Sequence, residues 1–281
     1  LRGGKETPEG TAEISPDMFN QTVMPVIFKS VSEQDDKLRI SGTSEAGAII
    51  SVRNDGQNFR QIKANASGQW SITLNIETDP AMIIDLVVFV DNGAKVRSDE
   101  TLFRVPAPKT IDVSSPEAKP LALIMITAPG GPTRIVQSPF RGLPTVGPIS
   151  MGPIEYDDSG SVIFSGTSEA EGRVRIYANE AIIGERPVSA NGRWFFIAVE
   201  TLPLGRYPVT AELRTVDGRE FQVSVPFERL KFTQETEIPG RALRVNYDPE
   251  VWQVSRNIYG GGRQYTAIFA PIEEPGNEDE E

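Results

Sequence analysis

Apolar and polar residues alternate along short stretches in two separate regions of the chain. A period of two residues puts apolar side chains on one face of an extended strand, so these stretches predict β-strands. In the first region the positions are Leu38 and Ile40, Ile50 and Val52, Trp70 to Leu74, Leu86 to Val90, and Leu102 to Val105. In the second region they are Val162 and Phe164, Val174 and Ile176, Tyr207 to Leu213, and Phe221 to Phe227. Two further strand segments are predicted there, Ile182 to Val188 and Arg193 to Val199, and the latter is apolar on both faces. Each region predicts a sandwich of two β-sheets.

Turn residues separate these strands. Asn54-Asp55-Gly56, Asp91-Asn92-Gly93 and Val216-Asp217-Gly218 each fall between two apolar stretches. Asn and Gly tolerate a positive φ, which tight hairpin turns require. We therefore expect a β-hairpin at each of the three positions.

A block of sequence occurs twice. Ser41 to Trp70 and Ser165 to Trp194 both open with Ser-Gly-Thr-Ser-Glu-Ala and both close with Gly, one polar residue and Trp. A repeat of this size indicates a duplicated domain. Because large aromatic side chains dominate core burial, we expect Trp70 and Trp194 to be core residues, not exposed binding residues.

The segments outside the repeat have other patterns. Leu121 to Ile126 is apolar on both faces and is followed by a Pro-Gly turn, which predicts a hairpin buried on both sides against one of the sandwiches. After Arg229 the period changes. Asp248-Pro249 is typical of a helix start, Val251, Val254 and Ile258 fall on one helical face, and Gly260 to Gly262 would end that helix. A second helix is expected from Tyr265.

These patterns divide the chain into six parts. The predicted divisions are a flexible lead-in (1–20), a first sandwich (21–106), a linker with a hairpin (107–153), a second sandwich (154–230), a helical C-terminal segment (231–270) and an acidic tail (271–281). The predicted fold class is mostly β with a small α-helical segment at the end. Leu1 in place of an initiator Met indicates a processed or truncated start.

Composition excludes several functions. The net charge of −11 repels phosphate backbones, so we expect no nucleic-acid partner. The sequence contains no Cys and no His, which removes disulfides, thiol nucleophiles, Ser-His-Asp triads and most zinc sites. Asp35-Asp36 and Asp157-Asp158 are more typical of turns than of a calcium loop. We therefore expect no enzyme, no catalytic residue, no metal site and no cofactor. No apolar run is long enough for a transmembrane segment.

The repeated residues resemble a known family of domains. Ser165-Gly166-Thr167-Ser168-Glu169-Ala170, Gly192-Arg193-Trp194 and Asp217-Gly218 match, in order, the pattern of bacterial immunoglobulin-like (Ig-like) modules of envelope and surface proteins. The first copy matches in its first half. The resemblance implies two Ig-like β-sandwiches in tandem. It says little about function, because this fold hosts many roles.

The string from Val251 to Phe269 resembles the first half of a LysM domain, a small βααβ module that binds the N-acetylglucosamine-containing glycan of peptidoglycan. The resemblance implies a glycan-binding loop at Asp248, Pro249, Glu250 and Val251. It implies a module core of Trp252, Tyr259, Tyr265 and Phe269. The chain departs from the family in this loop and lacks its closing strand. An alternative is that the four aromatic residues form a small core docked on the second sandwich.

Together these parts resemble uncharacterised alphaproteobacterial envelope proteins with two Ig-like domains and a LysM domain. The combination implies a non-enzymatic protein of the bacterial periplasm or cell envelope. Its sandwiches would act as spacers or bind envelope proteins, and its C-terminal segment would contact peptidoglycan. The alternative is a structural or assembly subunit whose Ig-like sheets bind protein partners and whose LysM-like segment is a degenerate docking element.

Overall fold

The computed structural model describes residues 24–76, 81–89, 95–108, 120–157, 160–198, 202–229, 236–237, 243–257 and 262–272. These residues form β-strands joined by turns and contain no helix. The strands build four sheets, which pair into two sandwiches. The mostly-β fold class is confirmed.

The first sandwich consists of two sheets. Outer sheet 1 contains β1 (Ile27–Gln34), β2 (Lys37–Thr43) and β5 (Gln69–Asn75), in the order β1-β2-β5. Inner sheet 1 contains β3 (Ile49–Asn54), β4 (Gln57–Lys63), β6 (Met82–Phe89), β7 (Lys95–Arg97), β8 (Thr101–Val105), β9 (Leu123–Thr127) and β10 (Arg134–Gln137). Its order is β10-β9-β8-β6-β3-β4, and β7 pairs with β6.

The second sandwich also consists of two sheets. Inner sheet 2 contains β11 (Thr145–Val146), β12 (Ile149–Asp157), β13 (Val162–Ser168), β16 (Arg193–Ala198), β19 (Thr236–Glu237), β20 (Leu243–Tyr247), β21 (Val251–Asn257) and β22 (Arg263–Phe269). Its order is β16-β13-β12-β22-β21-β20-β19, and β11 pairs with β12. Outer sheet 2 contains β14 (Gly172–Ala178), β15 (Ala181–Pro187), β17 (Gly205–Thr215) and β18 (Glu220–Arg229), in the order β15-β14-β17-β18.

Both sandwiches have the same strand order. In each, the first, second and fifth strands of the repeat form one sheet, and the third, fourth, sixth and last form the other. All the pairs are antiparallel, as in Ig-like sandwiches. In the second sandwich the Tyr207 hydroxyl donates a 3.0 Å hydrogen bond to the Pro203 carbonyl. This contact resembles the tyrosine corner of Ig folds. Burial raises the pKa of that phenol to about 12.

Tight turns connect several strand pairs as the sequence predicts. Asp55 (φ 53°) and Gly56 (φ 76°) both have positive φ between β3 and β4, as a type I′ turn requires. Gly218 (φ 86°) lies in the turn between β17 and β18. The third predicted hairpin turn, Asp91-Asn92-Gly93, lies outside the described residues.

The repeated Gly and Trp residues pair across strands. Gly42 lies opposite Trp70 on β2 and β5, and Gly166 lies opposite Trp194 on β13 and β16. Each indole covers its glycine so closely that a Cβ on the glycine would be 2.3 Å from the Trp Cζ2 atom. Both indoles are buried in the core of their own sandwich. The Ser-Gly-Thr and Gly-x-Trp motifs are therefore two halves of one packing contact.

The predicted linker region contains strands of both sandwiches. The predicted hairpin forms as β9 and β10, and β9 pairs with β8 of inner sheet 1. β12 begins at Ile149, inside the predicted linker, and is the first strand of the repeat in the second sandwich. The Gly152-Pro153 sequence hides this strand, because it lies where the register of β12 against β13 shifts. A Cβ at Gly152 would be 3.0 Å from the Ser165 carbonyl oxygen, so the glycine permits the close approach.

The prediction of helices in the C-terminal segment is wrong for the described residues. Val251–Asn257 and Arg263–Phe269 are the antiparallel strands β21 and β22, and β22 pairs with β12. The Asp248 side chain accepts hydrogen bonds from the backbone N–H groups of Glu250 (2.9 Å) and Val251 (3.3 Å). These are the bonds of a helix cap, but here they close the turn between β20 and β21.

Candidate functional site

The two inner sheets share a third hydrophobic core. Inner sheet 1 and the residue before β6 contribute Ala81, Phe103, Val105, Leu123 and Met125. Inner sheet 2 contributes Leu243, Val245, Trp252, Val254 and Ile268. We call this set the shared core. The four sheets therefore stack in the order outer 1, inner 1, inner 2 and outer 2.

Trp252 is the largest side chain of the shared core and is 1 % exposed. Its ring makes edge contacts with Tyr247 (centroids 4.8 Å apart) and Phe140 (6.0 Å). The Tyr247 hydroxyl in turn donates a hydrogen bond to the Pro106 carbonyl (3.2 Å), which follows β8. Apolar and polar contacts thus both hold the two sandwiches together.

A buried glutamate forms a second connection between the sandwiches. Thr133, the residue before β10, donates to the Glu155 carboxylate from its backbone N–H (2.6 Å) and from its hydroxyl (2.5 Å). Gln264 donates a third hydrogen bond from its amide (3.0 Å). Burial raises the pKa of Glu155, because the desolvation penalty exceeds the favourable effect of the Thr133 hydrogen bonds and of nearby Arg256.

We expect Glu155 to make stability fall as pH rises. The folded protein holds this proton more tightly than the unfolded chain, whose glutamate has an ordinary pKa of 4.5. The contribution is therefore fully present below pH 4.5 and is lost as pH rises through the folded pKa. A Glu155→Gln variant cannot titrate here, so its free energy of unfolding should fall less steeply over this range. Urea denaturation at a series of pH values measures the difference.

The control for this prediction is Glu169→Gln. Glu169 is exposed in the same sandwich, so this variant should keep the pH slope of the original protein. An unchanged slope in Glu155→Gln would contradict the prediction.

A cleft of about 680 Å³ lies beside the shared core, between the two sandwiches. Its first wall comes from inner sheet 1 and includes Ile83, Asp85 and Phe103. Its second wall comes from inner sheet 2 and includes Ile163, Arg256, Asn257 and Gln264. The turn from Thr127 to Gly131, between β9 and β10, closes one side. The volume is within the range of small-molecule sites, and such sites are common between domains.

Asp85 is the buried acid of this cleft, with 3 % of its surface exposed. Arg97 Nη2 is 2.8 Å from Asp85 Oδ2, and Arg53 Nε is 3.6 Å from Oδ1. Neither carboxylate oxygen accepts a hydrogen bond of good geometry from the described residues. The charge of Asp85 is therefore balanced by two arginines, but its oxygens accept no well-directed hydrogen bond from the described residues.

Arg256 is the half-buried base of the cleft. Its guanidinium lies over the Phe103 ring, with Cζ 4.8 Å from the ring centroid, and donates from Nη2 to Gln264 Oε1 (2.5 Å). The buried Nε has no hydrogen-bond partner among the described residues. Burial lowers the pKa of Arg256, and Glu155 partly offsets this effect. An unpartnered buried donor of this kind costs free energy.

The residues predicted to bind glycan do not line this cleft. Pro249 and Glu250 are exposed in the turn before β21, where Glu250 forms an exposed ion pair with Arg206 (3.3 Å). Asp248 closes the same turn, and Val251 is buried in the core of the second sandwich.

The predicted LysM core residues lie in two different cores. Tyr265 and Phe269 pack inside the second sandwich, whereas Trp252 faces the shared core. Tyr259 lies outside the described residues. The sequence alternative of aromatics docked on the second sandwich is nearer to this arrangement than a separate helical module.

Sequence reasoning missed Asp85, Arg256 and Glu155 as site residues. One signal was available for Asp85, which interrupts the apolar run from Ala81 to Val90. A charge in the middle of a buried strand needs a partner or a function. Arg256 and Glu155 carry no such signal, because their partners come from other strands.

The described residues form neither a metal-binding cluster nor a membrane-spanning helix. No three His, Cys, Asp or Glu side chains within these ranges cluster closely enough to hold a metal ion. None of these segments forms a helix with the length and apolarity that a membrane crossing needs.

Comparisons with known proteins leave the family open. No family model and no curated protein matches the chain. Among solved structures, a Ca²⁺-stabilised adhesin that helps an Antarctic bacterium bind ice is 12 % identical, with TM-score 0.21, over 90 % of this chain and 100 % of that one. A fibronectin-III array of RIM-binding protein is 14 % identical, with TM-score 0.24, over 85 % and 74 %.

Fibronectin(III)-like modules of Clostridium thermocellum CbhA are 10 % identical, with TM-score 0.20, over 78 % of this chain and 97 % of that one. Structural overlaps with TM-scores this low indicate nothing about the function of this protein.

Proposed function

We propose that this protein is a non-catalytic binding scaffold in which two Ig-like sandwiches act as one rigid body. The shared core is the observation that carries the proposal. Tandem domains joined only by a linker move independently by default, whereas a large apolar interface fixes them. Ten buried apolar residues from both inner sheets form such an interface here. The cleft beside it then keeps a constant geometry, as a preorganised binding site requires.

A binding role fits the chemistry of the cleft better than catalysis. The Asp85 carboxylate is already engaged in ion pairs with two guanidinium groups, those of Arg53 and Arg97. The sequence offers no His or Cys as an alternative general base or nucleophile. We therefore propose that the cleft binds a ligand and does not catalyse a reaction.

Protein partners have surfaces available on both sandwiches. β4 ends inner sheet 1 and β15 ends outer sheet 2 among the described strands, and they are the equivalent strand of the two repeats. Each carries an exposed apolar residue, Phe59 (46 %) and Ile182 (64 %). Such edges are templates for strand addition. From the sequence resemblance we also propose that the protein is located in a bacterial cell envelope.

Peptidoglycan binding has no support from the aromatic residues that carry the LysM resemblance, since the described ones are buried in the sheets. Only the exposed part of the predicted loop, Pro249 and Glu250, could contact a glycan. Co-sedimentation with insoluble peptidoglycan, comparing the chain with a Pro249→Ala/Glu250→Ala variant, tests this part of the resemblance separately.

The rigid-body proposal predicts one cooperative thermal transition. Differential scanning calorimetry should give a calorimetric enthalpy equal to the van't Hoff enthalpy, because neither sandwich can unfold without exposing the shared core. Two matched valines, both 2 % exposed, test the cause. Val254→Thr puts a hydroxyl into the shared core and should separate the transition into two. Val225→Thr, in the second sandwich alone, should lower the midpoint of a single transition. Two transitions in the unsubstituted protein would overturn the proposal.

A further inference from the structure

The cleft between the sandwiches contains two groups of opposite charge with unused hydrogen-bonding capacity, the buried Asp85 and the half-buried Arg256. We propose that the cleft binds a small compound carrying both an amino group and a carboxylate, which is the chemistry of an amino acid or a short peptide. The inference rests on the proposed rigid scaffold, because the two groups belong to different sandwiches and are held together only if the sandwiches are fixed.

Arg256 would bind the carboxylate. A guanidinium presents several N–H donors in one plane, which match the two oxygens of a carboxylate. The Nε donor of Arg256 is buried and unpartnered among the described residues. The nearby carboxylate of Glu155 is occupied by Thr133 and Gln264, and burial favours its neutral form. Arg256 therefore has a positive charge and a donor that its protein contacts leave unused. Because the Nε atom is buried, the guanidinium must turn toward the cleft to bind a ligand.

Asp85 would bind the amino group. Its two arginine neighbours supply charge, but neither oxygen accepts a well-directed hydrogen bond. An ammonium group carries three donors that turn freely, so it can bond an oxygen that a guanidinium approaches at a poor angle. Because both oxygens are buried, the carboxylate must turn toward the cleft to accept that bond. The lining contains the acids Asp55, Asp85 and Asp99 and the bases Arg97 and Arg256, so a ligand that carries both charges suits it better than a simple anion or cation.

The apolar lining would receive the rest of the ligand. Phe103, Ile83 and Ile163 come from three different strands and face the same space. Gly130 and Gly131 line it as well, and a Cβ at either glycine would meet no atom within 4 Å. A volume of about 680 Å³ exceeds the size of one amino acid. The cleft therefore has room for a peptide of a few residues with apolar side chains.

Isothermal titration calorimetry with four compounds tests the inference. L-leucine and L-leucyl-L-leucine carry both charged ends, 4-methylpentanoate lacks the amine, and 3-methylbutylamine lacks the carboxylate. We expect at least one of the first two to bind and each single-charge compound to bind about tenfold to a hundredfold more weakly. Tighter binding of the dipeptide identifies a peptide site, and tighter binding of leucine identifies an amino-acid site. Equal affinity for all four compounds would overturn the inference.

Substitutions assign the two ends of the ligand. Asp85→Asn should reduce the preference for the amine-bearing compound over 4-methylpentanoate. Arg256→Lys keeps the charge but loses the planar fork, and it should reduce the preference for the carboxylate. Asp217→Asn and Arg219→Lys, in an exposed ion pair of the β17–β18 turn, should change neither preference. Because each readout is a ratio of two affinities, partial unfolding of a variant does not mimic it.

Failure of this inference differs from failure of the rigid scaffold. If no compound binds at millimolar concentration while calorimetry gives one cooperative transition, the ligand class is wrong and the scaffold stands. Two transitions in the unsubstituted protein would instead contradict the scaffold on which the inference rests.

Discussion

Replacing Trp252 with alanine is expected to lower the free energy of unfolding by about 3–5 kcal/mol, the usual cost of removing a fully buried large aromatic side chain. Trp252 is 1 % exposed and contacts Tyr247 and Phe140 through ring edges. The cavity would lie in the shared core, where two rigid sheets face each other and cannot easily collapse. Urea denaturation followed by circular dichroism measures the loss.

The matched control is Trp194→Ala, which removes the same side chain from the interior of the second sandwich. Both variants should lose similar stability, but they should differ in where amide hydrogen exchange rises. Trp252→Ala should accelerate exchange in β8 and β9 of the first sandwich, whereas Trp194→Ala should not. A loss below about 1 kcal/mol for Trp252→Ala would mean that the shared core contributes little.

The second large effect is expected at the repeated glycines. Gly166→Ala should lower the free energy of unfolding by about 3 kcal/mol or more, at or above the upper end of overpacking costs. The added Cβ would be 2.2 Å from the Ser150 carbonyl oxygen and 2.3 Å from Trp194 Cζ2. Backbone and indole cannot both move away without breaking the pairing of β13 with β12 and β16. Thermal denaturation of the purified variant gives the size of the loss.

Gly131→Ala is the control for this substitution. A Cβ at Gly131 would meet no atom within 4 Å, so this variant should be as stable as the original protein. Gly42→Ala should repeat the effect of Gly166→Ala in the first sandwich, since its Cβ would be 2.0 Å from the Ile27 carbonyl oxygen. A Gly166→Ala variant that loses less than Gly131→Ala would refute the packing explanation of the motif.

The two sandwiches could be predicted from the sequence because most of their strands bury one face only. Leu38 and Ile40 or Val223 and Val225 alternate with polar residues, and the repeated block shows that the pattern occurs twice. The burial of β9 on both sides was also predicted, and all five of its residues are buried. What the pattern did not reveal is that both sandwiches supply the cover, one on each face.

The C-terminal strands could not be recognised from the sequence, because they too are buried on both faces. The first five residues of β21, from Val251 to Ser255, are all buried, because one face belongs to the second sandwich and the other to the shared core. A short run buried on both faces has no period of two, and periodicity alone cannot distinguish it from a buried helix. Val251, Val254 and Ile258 then matched a helical spacing by coincidence. The cleft was beyond prediction because its walls come from strands far apart in sequence.

The position of β20 to β22 in the stack has a consequence for the biosynthesis of the chain. These strands leave the ribosome after all the other described strands of the two sandwiches, yet they lie in one of the two inner sheets. Until they arrive, Phe103, Leu123 and Met125 present an apolar surface on a first sandwich that is otherwise ready to fold. The edge of β12 that pairs with β22 in the folded protein is also unpaired until then. The growing chain therefore exposes this apolar surface until β20 to β22 have been made. Exposed apolar surface of this kind favours aggregation with neighbouring chains.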